Sequence, residues 1–94
     1  MMKYLVEFVG TFFFLSVILN SGGFGNMGPF VVATGLLGAV LFGGKVSGGH
    51  FNPAVSAMMF AKNSIDMKTL GFYVCAQLFG SLAAWQFNTL AVKA

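Results

Sequence analysis

Apolar positions come in long blocks along this chain, and short polar stretches separate them. The first block is Met1–Leu19, MMKYLVEFVGTFFFLSVIL. A membrane-spanning helix needs about 20 mostly apolar residues, with a range of roughly 17–25. The block therefore predicts a transmembrane helix over about 3–20. A signal peptide is the competing reading, with Lys3 as the n-region and Phe8–Leu19 as the h-region. Against it, Glu7 interrupts the apolar start, and Asn20-Ser21-Gly22-Gly23 lacks the A-x-A cleavage pattern. Asn20–Pro29, NSGGFGNMGP, is uncharged and reads as a loop by composition. Phe30–Gly44, FVVATGLLGAVLFGG, predicts a second helix over about 29–46. Lys62–Lys68, KNSIDMK, is a solvated connector that holds three of the seven charges. Thr69–Val92 is the last apolar block and predicts a third spanning helix over about 69–91.

Between the second and third helices lies SGGHFNPAVS, Ser47–Ser56, followed by the rest of the apolar run Pro53–Ala61. That run is too short to span: nine helical residues at about 1.5 Å each reach about 14 Å, against a hydrocarbon core about 30 Å thick. A re-entrant segment over 47–61 fits, in which the chain dips inward as extended backbone and returns as a half-helix. Asn52-Pro53 reads as the start of that half-helix. Asparagine is a favoured N-cap, and proline at the first helical position gives up a donor the helix does not need. With the Asn52 side-chain oxygen so occupied, its amide N–H groups point elsewhere, and the helix N-terminus adds a partial positive charge. Gly48, Gly49, His50 and Phe51 would supply a ladder of carbonyl acceptors leading to those donors. Non-helical backbone at such depth survives only when buried in protein or lining a water-filled cavity. The alternative is an ordinary turn at the membrane surface, with PAVSAMMFA as an interfacial helix.

Composition supports a membrane setting. Hydrophobic residues make up 57% and charged residues 7% of the 94 residues, and the mean hydropathy is +0.86. An average soluble domain is about 25% charged. The net charge of +3 comes from five lysines, one glutamate and one aspartate. That is too sparse for the clustered basic face that nucleic-acid binding needs. The lysines instead set a topology. With a cytoplasmic N-terminus, Lys3, Lys45, Lys62 and Lys68 lie on or near that side and Lys93 lies outside, a positive-inside bias that leaves the C-terminus outside. Lys45 is the least secure member, since it lies where the chain turns back.

Several residues inside the apolar blocks need their own account. Ala76, Gly80 and Ala84 form a small-xxx-small series that lets helix backbones approach closely in a bilayer, and Ala39 and Gly43 form a weaker one. Glu7 is a carboxylate within the first helix. It either accepts hydrogen bonds from the N–H groups of the re-entrant loop or lies near the interface and faces water. Gln77 is interhelical glue or pore lining. His50 has no second histidine or cysteine nearby to make a metal site and is expected to be a packed or hydrogen-bonded loop residue. Cys75, the single cysteine, is expected to be a small buried hydrophobe. Neither a nucleophile–base set nor a metal-ligand set is visible, so an enzyme is not expected.

SGGHFNPAVS closely resembles the first NPA loop of the aquaporins, the major intrinsic protein family. Glu7-Phe8-Val9-Gly10-Thr11-Phe12-Phe13 is similar to the family's first-helix motif, and Gly71-Phe72-Tyr73-Val74-Cys75-Ala76-Gln77 to the opening of its third helix. The three occur in the right order along essentially the whole chain. The resemblance implies an all-α membrane protein in which residues 1–94 form three transmembrane helices and one re-entrant half-helix, half of an aquaporin-like bundle. It implies that Asn52, Pro53 and Ala54 match the NPA triplet, that Gly48, Gly49, His50 and Phe51 match the loop whose carbonyls line the channel, and that Glu7 braces that loop. It also implies passive conduction of water, glycerol or other small neutral solutes without a cofactor. There are departures. The family's full chain has two inverted repeats, and this one matches the N-terminal repeat alone. Val55 follows the triplet, and no arginine occurs anywhere. The outer-constriction position of the second helix falls on Val32 or, aligned on Gly35, on Thr34, neither of them aromatic.

Two readings follow. One is a channel whose pore is completed by pairing, either with a second copy inserted in the opposite orientation or with a complementary half-repeat chain; the lysine bias favours the latter. The other is a non-conducting, helix-packing membrane protein or a truncated aquaporin fragment.

Overall fold

The computed structural model describes residues 1–93; Ala94, the last residue of the expected single unit, lies outside the described residues. Four α-helices follow one another: α1 (Met2–Asn20), α2 (Gly28–Ser47), α3 (Pro53–Ala61) and α4 (Met67–Lys93). The described part is all-helical. The stretch expected as the first loop is instead a 3-10 helix, Ser21–Met27, interrupted at Gly25 by φ 58° and ψ −128°. Composition alone hid this, because glycine- and serine-rich segments serve turns and tight helices equally well. Within the run Met2–Ser47 an 18-residue stretch reaches a mean hydropathy of 1.7, and the run is long and apolar enough to cross a membrane. The Gly25 break divides it into helices of 19 and 20 residues, about 28 and 30 Å long at 1.5 Å per residue.

Small residues decide how the helices meet. On α2, Gly35, Ala39, Gly43 and Ser47 are all buried and recur every four positions, so they form one column. Val17 of α1 packs onto Gly35 and Val6 of α1 packs onto Gly43. On the other side of α1, Gly80 and Ala84 of α4 are buried. A Cβ at Gly80 would lie 2.8 Å from the Phe8 carbonyl oxygen. Of the expected α4 series Gly80 and Ala84 are buried and Ala76 is half-buried, while the expected Ala39–Gly43 face of α2 packs and Gly35 extends it by one turn.

The burial pattern is inverted relative to a water-soluble domain. The largest fully buried side chains are Gln77, Glu7, Thr11 and Ser56, whereas Leu41, Phe79, Phe30 and Trp85 stand exposed. Apolar surface left outward and polar groups gathered inward suit a hydrocarbon solvent, where every polar group must find its partner within the protein. Cys75 corrects an expectation: it is exposed, not buried. Tyr73, Gln77, Gly80 and Ala84 define the buried stripe of α4, and Cys75 lies about 200° round the helix from Tyr73 at 100° per residue.

Local chemistry ends each helix. Gly48, at φ 92°, closes α2 with its N–H donating to the Gly44 carbonyl at 2.9 Å, the left-handed C-terminal geometry that glycine adopts without steric cost. Asn63, at φ 65°, closes α3. The Ser64 N–H reaches the Met59 carbonyl at 2.8 Å and the Asn63 N–H the Phe60 carbonyl at 3.0 Å, the paired bonds of a Schellman motif. Asp66 then caps α4, its Oδ1 accepting from the Thr69 N–H at 2.8 Å.

Candidate functional site

The segment between α2 and α3 folds into the bundle. Ser47, His50, Phe51 and Ser56 are buried, with Phe51 at 3% exposure. The Phe51 ring lies among Gly10 of α1 and Gly43 and Gly49 of the α2 end, and clusters with Val6 and Ala39. An ordinary surface turn would leave these side chains outside. Holding the ring there forces Phe51 to φ 51°, a region that costs a non-glycine residue roughly 1–2 kcal/mol.

Glu7 is the hub. It is 0% exposed. Its Oε2 accepts from the Ser47 hydroxyl at 2.7 Å and the His50 backbone N–H at 3.1 Å. Its Oε1 accepts from the Phe51 backbone N–H at 2.9 Å and the Gln77 side-chain amide at 2.8 Å. Of the two expectations for Glu7, the structure therefore has the one in which it bonds the loop's N–H groups. All four partners are donors, which suits a carboxylate because it only accepts. Gln77 also donates from Nε2 to the Ser56 hydroxyl at 2.9 Å. Its own Oε1 is buried without a hydrogen-bond partner among the described residues, so the donors fix the orientation of the amide. Ser56 Oγ thus accepts from Gln77 and lies 2.8 Å from His50 Nδ1, a hydrogen bond that a hydroxyl can make as donor or as acceptor. Tyr73 completes the frame, its hydroxyl donating to the Ser47 carbonyl at 2.6 Å, with the His50 ring edge-on at a centroid distance of 4.9 Å.

Beyond this frame the chain faces outward. Asn52, Pro53 and Ala54 are exposed. Asn52 has extended backbone, φ −163° and ψ 124°, and its Oδ1 accepts from the Ala54 N–H at 2.8 Å. Such a cap contributes about 1 kcal/mol and leaves both Nδ2 hydrogens pointing away from it. Gly48 is exposed and Gly49 half-buried. Val55, one residue past the triplet, is half-buried. Val32 is half-buried and Thr34 exposed on α2, with the Thr34 hydroxyl turned back to the Phe30 carbonyl at 2.8 Å. Gln77 joins the loop frame, whereas Gly80 and Ala84 pack against α1 away from it.

Ser47, Ser56 and Tyr73 take part in the frame without having been singled out from the sequence. Their signal was present: both serines bracket the loop, and polar residues in apolar segments require partners. No group of three histidine, cysteine, aspartate or glutamate side chains able to hold a metal occurs among the described residues.

Residues 1–93 match the family model described as Major intrinsic protein. The chain is 39% identical over 89 residues to "Glycerol uptake facilitator protein-like 6" of Lactiplantibacillus plantarum, covering 89% of this chain and 41% of that protein. It is 42% identical over 86 residues to "Aquaporin-8" of Mus musculus, covering 83% of this chain and 32% of that protein. It is 36% identical over 92 residues to "Aquaporin-10" of Milnesium tardigradum, covering 85% and 22%. The chain thus spans less than half the length of these curated relatives. No solved structure matches it.

Proposed function

Since the chain belongs to the major intrinsic protein family, we propose that it is half of a channel for passive movement of water or small neutral solutes of the glycerol class. In this reading α1, α2 and α4 span the bilayer, and α3 is a half-helix whose N-terminus lies near the midplane. The pore is completed by a second half repeat in the opposite orientation. The lysine pattern supports a cytoplasmic N-terminus and favours a complementary chain or segment over an inverted second copy.

The observation that carries the proposal is the division of labour at Asn52. Its oxygen is held by the Ala54 N–H, so its amide hydrogens face the open side of the bundle as donors to a passing oxygen atom. The four bonds to Glu7 hold the preceding backbone while that backbone offers carbonyl acceptors. Donors next to acceptors let a water or polyol exchange hydrogen bonds with solvent for bonds with the protein. Val32, Thr34 and Val55 bring no cation to the pathway, and the chain has no arginine, so this half selects by hydrogen bonding and size. The similarity to a glycerol uptake facilitator-like protein and to aquaporins supports the same solute range.

Osmotic shrinkage of liposomes tests the reading. Vesicles carrying the chain with a complementary half repeat should shrink faster than empty ones, and Asn52→Asp, which keeps the cap oxygen and loses the donors, should abolish the gain. Permeability equal to that of empty vesicles, at verified insertion of both halves, sinks it. The chain alone distinguishes self-pairing from a need for the complement.

A further inference from the structure

One end of the bundle carries nearly all of the charge. Lys3 opens α1, Lys45 lies in the last turn of α2, Lys62 follows α3 and Lys68 stands in the first turn of α4. The chain has two acidic residues. Glu7 is spent on its four buried donors, which leaves Asp66 as the only carboxylate at that end. The same end has a crevice between the start of α1 and the turn joining α3 to α4, with Lys3, Asn63, Ser64 and Asp66 as polar lining and Phe60 and Ile65 as apolar lining. Lys3 also stands over the Tyr4 ring, 5.4 Å from its centroid.

We propose that this crevice seats the phosphate headgroup of an anionic phospholipid. Four lysines against one aspartate make the surface complementary to an anion. A helix bundle with its apolar flanks in hydrocarbon holds these lysines at headgroup depth, where a lipid phosphate is already concentrated. Lys3 provides the cation in the wall, Lys62 and Lys68 flank it, and the Ser64 hydroxyl and Asn63 amide are donors to phosphate oxygens. Phe60 and Ile65 take the glycerol and upper acyl portion, which a free phosphate ion lacks. Asp66 opposes the headgroup, so it acts as a built-in brake on affinity. The proposal requires only that the chain lies in a bilayer, and it stands or falls separately from conduction.

The experiment is thermal unfolding of the full chain in neutral detergent, titrated with phosphatidylglycerol or phosphatidylcholine. Phosphatidylglycerol should raise the midpoint at lower lipid concentration than phosphatidylcholine. Each lysine near an anionic surface contributes about fivefold in affinity, so Lys3→Gln and Lys62→Gln should each shift the titration by about that factor. Asp66→Asn, which preserves a capping side chain, should shift it the other way, a gain that a misfolded variant would not give. Equal titrations with the two lipids overturn the proposal, as do lysine variants that titrate like the parent. Inorganic phosphate reproducing the whole effect overturns the lipid assignment.

Discussion

The ring of Phe51 occupies the place where a side chain at Gly10 would be: a Cβ built on Gly10 would lie 2.8 Å from Phe51 Cδ1 and closer still to the ring carbons beyond it. The loop can enter the bundle because α1 has no side chain at that position. Gly10→Ala should therefore push the ring, and with it the loop backbone held by Glu7. Overpacking of this kind costs about 1–3 kcal/mol. The expected result is a lower unfolding midpoint in detergent.

The Glu7 hub predicts an ordering of variants. Glu7→Gln keeps one accepting oxygen and turns an NH2 group towards donors, so two of the four donors lose their partner. Each buried donor left unpaired costs about 1–3 kcal/mol. Gln77→Leu removes one donor to Glu7 and one to Ser56 but leaves the two backbone bonds from His50 and Phe51 in place, so it should be the milder change. A double-mutant cycle should show coupling between the two positions. Additive effects would mean that the bond between Glu7 and Gln77 contributes nothing.

Two glycines on α4 make a paired prediction. A Cβ at Gly80 would meet the Phe8 carbonyl oxygen at 2.8 Å, a backbone atom that has no rotamer to escape into, whereas at Gly71 there is nothing within 4 Å. Gly80→Ala should destabilise by about 1–3 kcal/mol. Gly71→Ala should stabilise by roughly 0.5–1 kcal/mol, because alanine loses less backbone entropy in a helix. Unfolding midpoints of the two variants should move in opposite directions.

These sites differ in how legible they were. Asn52-Pro53 was readable because capping is a local rule: the oxygen of the cap and the N–H it accepts are two residues apart. The small-residue columns were readable because the helical period places every fourth residue on one face. The hub was readable only in part. A carboxylate among apolar residues announces a need for partners, but Ser47 and Gln77 lie 40 and 70 positions away, and no local rule selects them. Tyr73 and Ser56 announced a need for partners in the same way, but their partners were hidden by the same distance along the chain. The Ser21–Met27 helix escaped because its composition suits a turn as well. Cys75 was misplaced because an apolar segment in a membrane helix is as readily turned towards lipid as towards protein.

The exposed connector makes the start of α4 sensitive to pH. Hydrogen bonding by Thr69, through its hydroxyl and then its backbone N–H, holds the Asp66 carboxyl below its ordinary value of 3.8, against a smaller opposing effect of desolvation, with a further lowering from Lys3. A carboxyl whose folded pKa is depressed stabilises the fold above the unfolded pKa and loses that contribution as pH falls through the folded one. The cap on α4 should therefore be intact at neutral pH and fail only below the ordinary carboxylate range. Amide exchange in the first turn of α4, followed as pH is lowered and corrected for the intrinsic rate, should show protection falling in that window. Asp66→Asn keeps a capping oxygen that does not titrate, so its protection should stay flat. A parent chain whose first-turn protection is equally flat would mean that Asp66 does not hold this helix start.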